Sequence, residues 1–360
     1  MEVLVLEKIL VINTGSTSTK LALFSGRDRI YEETLRHNAA ELANYERIID
    51  QLAFRSRLIV DWMQAKGIKI KDLAAVAARG GLVKPIPSGT YRVNEAMLQD
   101  LGCSTFGEHA SNLGALLAHV LTRETNIPAF VVDPVVVDEM QEVARLTGHP
   151  DLERRSIFHA LNQKAVGRRA ARDLGKAYEE VNLVVAHLGG GISVAAHECG
   201  KVIDVNNALN GEGPFTPERS GTLPAGQLVE LCFSGRYSKR EIMAMLKGKG
   251  GVMAFLGTND MQEVERRLEA GDGEAATVFA AMAYQISKEI GAQVAVLCGK
   301  VDAVVITGGI AHSQAMITAI TKRVERFGPI LVYPGEDEML ALAEGAVRVL
   351  VGEDSVREYQ

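Results

Sequence analysis

The sequence is poor in cysteine, in aromatic side chains and in net positive charge, and each shortage removes a class of protein. Its four cysteines, Cys103, Cys199, Cys232 and Cys298, form no C-x-x-C pair and have no histidine at zinc-ligand spacing, which excludes a zinc ribbon and leaves core thiols of a reducing compartment as the expectation. Lys and Arg number 39 against 45 Asp and Glu, a formal charge of -6. Pairs such as Arg154-Arg155 and Arg168-Arg169 are too short for phosphate-backbone binding, so no nucleic-acid partner is expected. No apolar run reaches the roughly 18 residues of a spanning helix, so no membrane partner is expected. Residues 1–10 are apolar but carry Glu2 and Glu7 and lack the basic start of a signal peptide, so a soluble cytoplasmic protein is expected. A Walker A loop, G-x-x-x-x-G-K-[ST], is also missing.

What is present is ordinary globular material, 47% hydrophobic and 23% charged over 360 residues, long enough for two domains. It is also repeated. Residues 9–12 read as a strand, 13–20 as a polar turn, 21–24 as a second strand and 25–28 as a tight turn into a third. The same grammar returns at 183–187, 188–191, 192–196 and 198–205. Gly15 and Gly189 lie 174 positions apart, as do Gly26 and Gly200. Further on, an apolar run enters Arg79-Gly80-Gly81-Leu82 in one half and Thr307-Gly308-Gly309-Ile310 in the other. Each follows an amphipathic pattern, at 52–66 and 276–297, that predicts a helix. Alternating strands and helices argue for an α/β fold. The boundary is expected at 150–175, with a C-terminal helix over 340–350 packing back on the first half.

The segment holding Asn13, Gly15, Ser16, Ser18 and Lys20 has the parts of a phosphate site: a Gly turn, hydroxyls and a point charge. The alternation after Lys20 is that of a strand, whereas a P-loop opens a helix. Gly189, Gly190 and Gly191 allow close backbone approach, and Gly308 and Gly309 would do the same beside a base or ribose. Asp133 at a strand end before Pro134, His159, His109 at a helix start, and Arg219 in a Pro- and Gly-rich loop lie where core packing does not ask for them. Cations for developing charge and donors for in-line oxygens are what phosphoryl transfer to a carboxylate uses.

The residues Val11 to Lys20, Val185 to Gly191, Gly107-Glu108-His109, Val132-Asp133-Pro134, Ser156-Ile157-Phe158-His159-Ala160, Phe215 to Gly221 and Thr307-Gly308-Gly309-Ile310 together resemble the acetate and butyrate kinases, nearly end to end. Arg79-Gly80-Gly81-Leu82 and Pro217-Glu218-Arg219-Ser220-Gly221 are similar to the butyrate kinase branch. The resemblance implies two duplicated actin-like (ribonuclease H-like) α/β domains, each a mixed sheet flanked by helices, with an ATP cleft between them. It implies ATP with Mg²⁺, butyrate and butyryl phosphate as acid and product, and a homodimer or higher homo-oligomer. Residues 1–155 with the helix 340–360 would form the acid side, and 156–339 the ATP-binding domain. Asn13, Ser16, Ser18 and Lys20 match the first phosphate hairpin, Asn13 on the Mg²⁺ side, and His187 to Gly191 match the second phosphate loop. Arg219 and His159 match positions that stabilise the phosphoryl group, and His109 and Asp133 match other active-site positions.

Three departures stand out: His312 where the family's acetate branch has a magnesium-side Glu, Gly190 where it has Asn, and Val76 where it has a substrate Arg. Arg79 is expected to take over the acid's carboxylate, and Ala78, with Phe158 opposite, to leave room for a longer acyl tail. The alternatives are another short acid (isobutyrate, propionate or acetate), and a non-transferring actin-like or chaperone-like ATPase. A sugar kinase would need a carboxylate base, which an acid already ionised at pH 7 does not.

Overall fold

The computed structural model describes residues 8–360; Glu2 and Glu7 lie outside the described residues. Among the described residues twelve strands run in chain order: β1 (Lys8–Thr14), β2 (Ser18–Ser25), β3 (Asp28–Arg36), β4 (Ala75–Arg79), β5 (Thr90–Arg92), β6 (Ala129–Val132), β7 (Asn182–Leu188), β8 (Ile192–Glu198), β9 (Lys201–Val205), β10 (Ala303–Gly308), β11 (Ile330–Pro334) and β12 (Arg357–Glu358). They form two mixed sheets, ordered β12-β5-β6-β4-β1-β2-β3 and β11-β10-β7-β8-β9. The central strands read as continuous apolar runs because both their faces are covered; Ile9 to Ile12 and Leu183 to Ala186 have no exposure.

The duplication extends to strand register. In each sheet an antiparallel meander is joined on its first strand by two parallel strands. Ile9 pairs with Ala75 and Ile12 with Ala78; Leu183 pairs with Ala303 and Ala186 with Ile306. These positions are related by the same offsets as the Gly15/Gly189 and Gly80/Gly308 motifs. A bulge interrupts the pairing of β2 with β3 at Leu23/Phe24, and of β8 with β9 at Ala196/His197.

Helices cover the sheets with one apolar stripe each. The helix Leu52–Ala65 buries Phe54, Ile59, Trp62 and Met63, and the helix Gly273–Val296 buries Val278, Met282, Ile286 and Ile290 at helical spacing. The chain divides into two compact units, 1–137 with 337–360, and 138–336. The C-terminal helix Glu338–Leu350 belongs to the first and packs on β1 and β4. The stretch 138–155, expected with the first unit, is held in the second by polar anchors that apolar patterning does not register. Lys164 Nζ lies 2.5 Å from Glu139 Oε2, the Gln141 amide donates to the Ile203 carbonyl at 3.0 Å, and Arg154 Nη2 lies 3.0 Å from Asp204 Oδ1.

The cysteine expectation needs correction, since all four thiols are exposed. Cys199 and Cys298 sit in turns with φ of 47° and 53°, and Cys103 and Cys232 lie near helix ends. Among the described residues no helix is long and apolar enough to cross a membrane.

Candidate active site

In the first unit, the parallel pairing of β1 with β4 brings Asn13 and Arg79 to one end of the sheet, and the first turn of the helix Glu338–Leu350 arrives there too. The Glu338 carboxylate accepts from Asn13 Nδ2 at 2.5 Å and lies 3.2 Å from Arg79 Nη1. Asn13 is buried, Ser16 exposed, Ser18 half-buried, and Lys20, on the neighbouring strand, pairs with Glu32 at 3.1 Å. His109 is exposed before the helix Asn112–Thr122; its Nδ1 lies 2.8 Å from Ser111 Oγ. Asp133 is buried in the left-handed region, φ 38°, and accepts from Ser88 Oγ at 2.6 Å and from the Gly89 amide at 2.8 Å. It supports the 88–89 loop.

Ala78, expected as an acyl wall, faces away from Arg79. Strand alternation turns Val76 and Ala78 to one face, where Ala78 is fully buried and its methyl would lie 3.5 Å from a side chain added at Gly114. Phe158, in the second unit, is likewise buried.

In the second unit, His187 closes β7 and His159 caps the helix Ala160–Asp173, with ring centroids 4.5 Å apart. His159 Nε2 lies 3.3 Å from Glu336 Oε2, and His187 Nε2 lies 3.1 Å from Glu336 Oε1. The Asn162 amide N–H donates to His159 Nδ1 at 3.3 Å, which leaves the ring proton on Nε2. Asn162 Oδ1, assigned from this network, sits 2.9 Å from His187 Nδ1. Burial alone would raise the Glu336 carboxyl; the hydrogen bonds from His159 and His187 outweigh it and hold the group far below the usual carboxylate range. Two ring N–H groups thus already grip an anionic oxygen pair.

Beside them runs the loop Gly189-Gly190-Gly191. Thr216 Oγ1 donates to the Gly190 carbonyl at 2.7 Å, and Arg219 lies across Gly191, its Nη1 donating to the Ala208 carbonyl at 2.5 Å. A Cβ at Gly191 would stand 2.1 Å from Arg219 Nη1. Arg219 Nε is buried without a hydrogen-bond partner, and burial lowers the guanidinium pKa, an effect the nearby Glu218 opposes. Gly308, φ 92°, is needed for packing, because a Cβ there would meet the Leu188 carbonyl at 2.4 Å; Gly309 faces open space. His312 is exposed.

The sequence reading missed Glu336 and Glu338. Asp337 accepts from the Leu340 amide at 3.1 Å, so Glu336-Asp337-Glu338 has the look of an acidic helix start, which needs no other explanation.

A family model, the acetokinase family, matches residues 149–348, more than half of the chain. The chain belongs to the acetokinase family. Membership makes it a carboxylate kinase that uses ATP with a divalent metal. Solved structures agree on the fold. The chain superposes on the acetate kinase of Porphyromonas gingivalis with a TM-score of 0.80, at 20% identity, covering 96% of this chain and 100% of that one. For a propionate kinase from Francisella tularensis subsp. tularensis SCHU S4 the values are 0.76, 19%, 94% and 98%. For the acetate kinase of Entamoeba histolytica they are 0.74, 16%, 94% and 98%.

Two groups offer themselves for the acetokinase metal. The ligand atoms of His159, His187 and Glu336 all lie within 4.8 Å of one another, but the proton on His159 Nε2 makes that atom a donor, and nitrogen-rich sets suit zinc better than magnesium. Asn13 with Glu338 offers oxygen donors, and Mg²⁺ takes one or two carboxylates with the remainder from substrate phosphates and water. That pair fits.

Proposed function

We propose that this acetokinase phosphorylates butyrate, giving butyryl phosphate and ADP reversibly by direct in-line transfer. A carboxylate oxygen bonds to the γ-phosphorus as the bond to the β,γ-bridging oxygen breaks, and ADP carries away that electron pair. The observation that carries this reading is the pair of ring donors His159 and His187 on the Glu336 carboxylate, together with Arg219 lying across Gly191 with its buried Nε orphaned. It suits an anionic phosphoryl group passing to an anionic acceptor. In the second unit Arg219 and the His159 Nε2–H would hold the equatorial oxygens and the 189–191 amides would offer donors to ATP phosphate; in the first unit the Asn13–Lys20 turn would do the same. Glu338 and Asn13 would hold Mg²⁺, which supplies charge neutralisation on the phosphates. Glu338, once committed there, releases Arg79 to the acid's carboxylate. His109 and Asp133 would act from the surrounding loops.

The choice of butyrate rests on Arg79-Gly80-Gly81-Leu82 and Pro217-Glu218-Arg219-Ser220-Gly221, which are similar to the butyrate kinase branch. Trapping acyl phosphates with hydroxylamine across acetate, propionate, butyrate and isobutyrate tests it. Butyrate or isobutyrate is expected to exceed acetate by about tenfold in kcat/KM, as ~0.8 kcal/mol per buried CH₂ requires. Acetate as the best acid would overturn the butyrate assignment and leave the kinase. A cytoplasmic homodimer belongs to the same proposal. The exposed Val229, Phe233 and Phe255, at 55%, 87% and 62%, give the second unit an apolar surface that a second copy would cover. A monomer mass by light scattering would remove the dimer.

A further inference from the structure

Beneath the Asn13–Lys20 turn lies an arginine with no exposure, Arg55, carried on the helix Leu52–Ala65. Its Nη1 donates to the carbonyls of Gly15 and Ser18 at 2.8 and 3.0 Å and to Thr19 Oγ1 at 3.2 Å. Its Nη2 donates to the Ser16 carbonyl at 3.1 Å, and Gln51 Oε1 accepts from Nη2 at 2.8 Å and from Nε at 3.1 Å. The remaining turn carbonyl, of Thr17, accepts from the His37 amide at 2.9 Å. All four carbonyls of residues 15–18 are therefore drawn into the first unit.

A trans peptide is planar, with its C=O and N–H pointing opposite ways, and there is no cis peptide among the described residues. Carbonyls pulled inward at Gly15 and Ser16 send the amides of Ser16 and Thr17 outward, and among the described residues neither amide finds an acceptor. Successive outward amides form an anion-binding concavity. The charge beneath it has no carboxylate partner among the described residues; Gln51 is an amide. Burial lowers the Arg55 pKa only to about 10, so it is charged at neutral pH.

We propose that Arg55 is the positioning residue of this kinase's first phosphate site: it fixes the turn with its amides outward and places an uncompensated positive charge behind them. The proposal rests on the reading of the Asn13–Lys20 turn as a phosphate site. Titration calorimetry of the full-length protein with ATP, ADP and adenosine tests it. Arg55→Met is expected to weaken ATP by about tenfold or more, as removing a charged donor from several carbonyls does. The loss should be smaller for ADP and absent for adenosine, and Arg55→Lys should recover part of it. A role in stability alone would lower the melting temperature and leave the affinity of the folded protein for all three ligands unchanged. Should Arg55→Met not fold, Arg55→Lys and Gln51→Leu carry the same comparison. A folded Arg55 variant with normal ATP affinity overturns the proposal. Lys20→Ala and Ser16→Ala separate the two levels. If they weaken ATP while the Arg55 variants do not, only the role of Arg55 falls; if none of the variants weakens ATP, the phosphate reading of the turn falls with it.

Discussion

Gly191→Ala is the sharpest test of the phosphoryl site, because the substitution touches Arg219 and little else. The backbone at Gly191 does not occupy the left-handed region, so alanine fits without strain, and less freedom in the unfolded chain would if anything stabilise the fold. Its Cβ, however, would stand 2.1 Å from Arg219 Nη1 and 2.9 Å from Cζ. The guanidinium must retreat by about 1 Å or more, and a displacement of ~1 Å at a reacting centre costs on the order of 100-fold in rate. Losing the arginine altogether sets the ceiling, roughly a thousandfold or more, and Arg219→Ala provides that reference. Gly190→Ala is the control, since a Cβ there meets only Glu218 Oε1, at 3.9 Å. Steady-state kinetics at saturating ATP and acid, beside thermal melts, should show kcat falling on the order of 100-fold for Gly191→Ala with a normal melting temperature, and Gly191→Ala adding little in an Arg219→Ala background. A folded Gly191→Ala enzyme within about threefold of normal kcat would refute the placement of Arg219 over the reacting phosphoryl group.

Ala78→Val adds two methyl groups to a closed core, so a loss of about 1–3 kcal/mol in denaturant unfolding is expected with an unchanged butyrate-to-acetate ratio; a shifted ratio at normal stability would restore Ala78 as an acyl wall. His37 is buried against Thr19, with a ring-nitrogen distance of 2.9 Å, and burial, then the Arg55 charge, lowers its pKa to about 4. The unfolded chain therefore binds this proton first, so the His37 contribution is complete above pH 6.5 and is lost as the pH falls toward 4. It amounts to at most roughly 3 kcal/mol at ~1.4 kcal/mol per pH unit. Urea midpoints between pH 7 and 4.5 should fall less steeply in His37→Asn; identical slopes would refute the assignment.

The fold was legible because its central strands are closed in on both faces. Residues 9–12 and 183–186 are apolar without interruption, and each run ends at polar or Gly-rich residues. The register match of Ile12 with Ala78 and of Ala186 with Ile306 then follows from one topology used twice. The helices predicted at 52–66 and 276–297 form at Leu52–Ala65 and Gly273–Val296. The facing of Ala78 was not legible for a related reason. Proximity to Arg79 in sequence says nothing about facing, and in a strand the neighbour of a residue at a sheet's end points the opposite way.

Charged residues were legible only where their surroundings made them anomalous. His159 within Phe158-His159-Ala160 and His187 at the end of an apolar strand stand out, since nothing in the packing calls for an imidazole there. Glu336 and Glu338 do not, because an acidic helix start is what the macrodipole favours in any protein. Arg55 is the most instructive case. In the sequence it is one cation on an amphipathic helix, indistinguishable from the exposed Arg57 two positions on. Its burial has a cause only once the hairpin turns over it, because four carbonyls in a tight turn cannot all be satisfied by the turn itself. A guanidinium is the one side chain with enough donors in a fixed plane to take three of them together. The visible half of the proposed phosphate site, Gly15, Ser16, Ser18 and Lys20, is local in sequence; the arginine that binds its carbonyls lies 36 to 40 residues away, on an element whose pattern encodes only its packing.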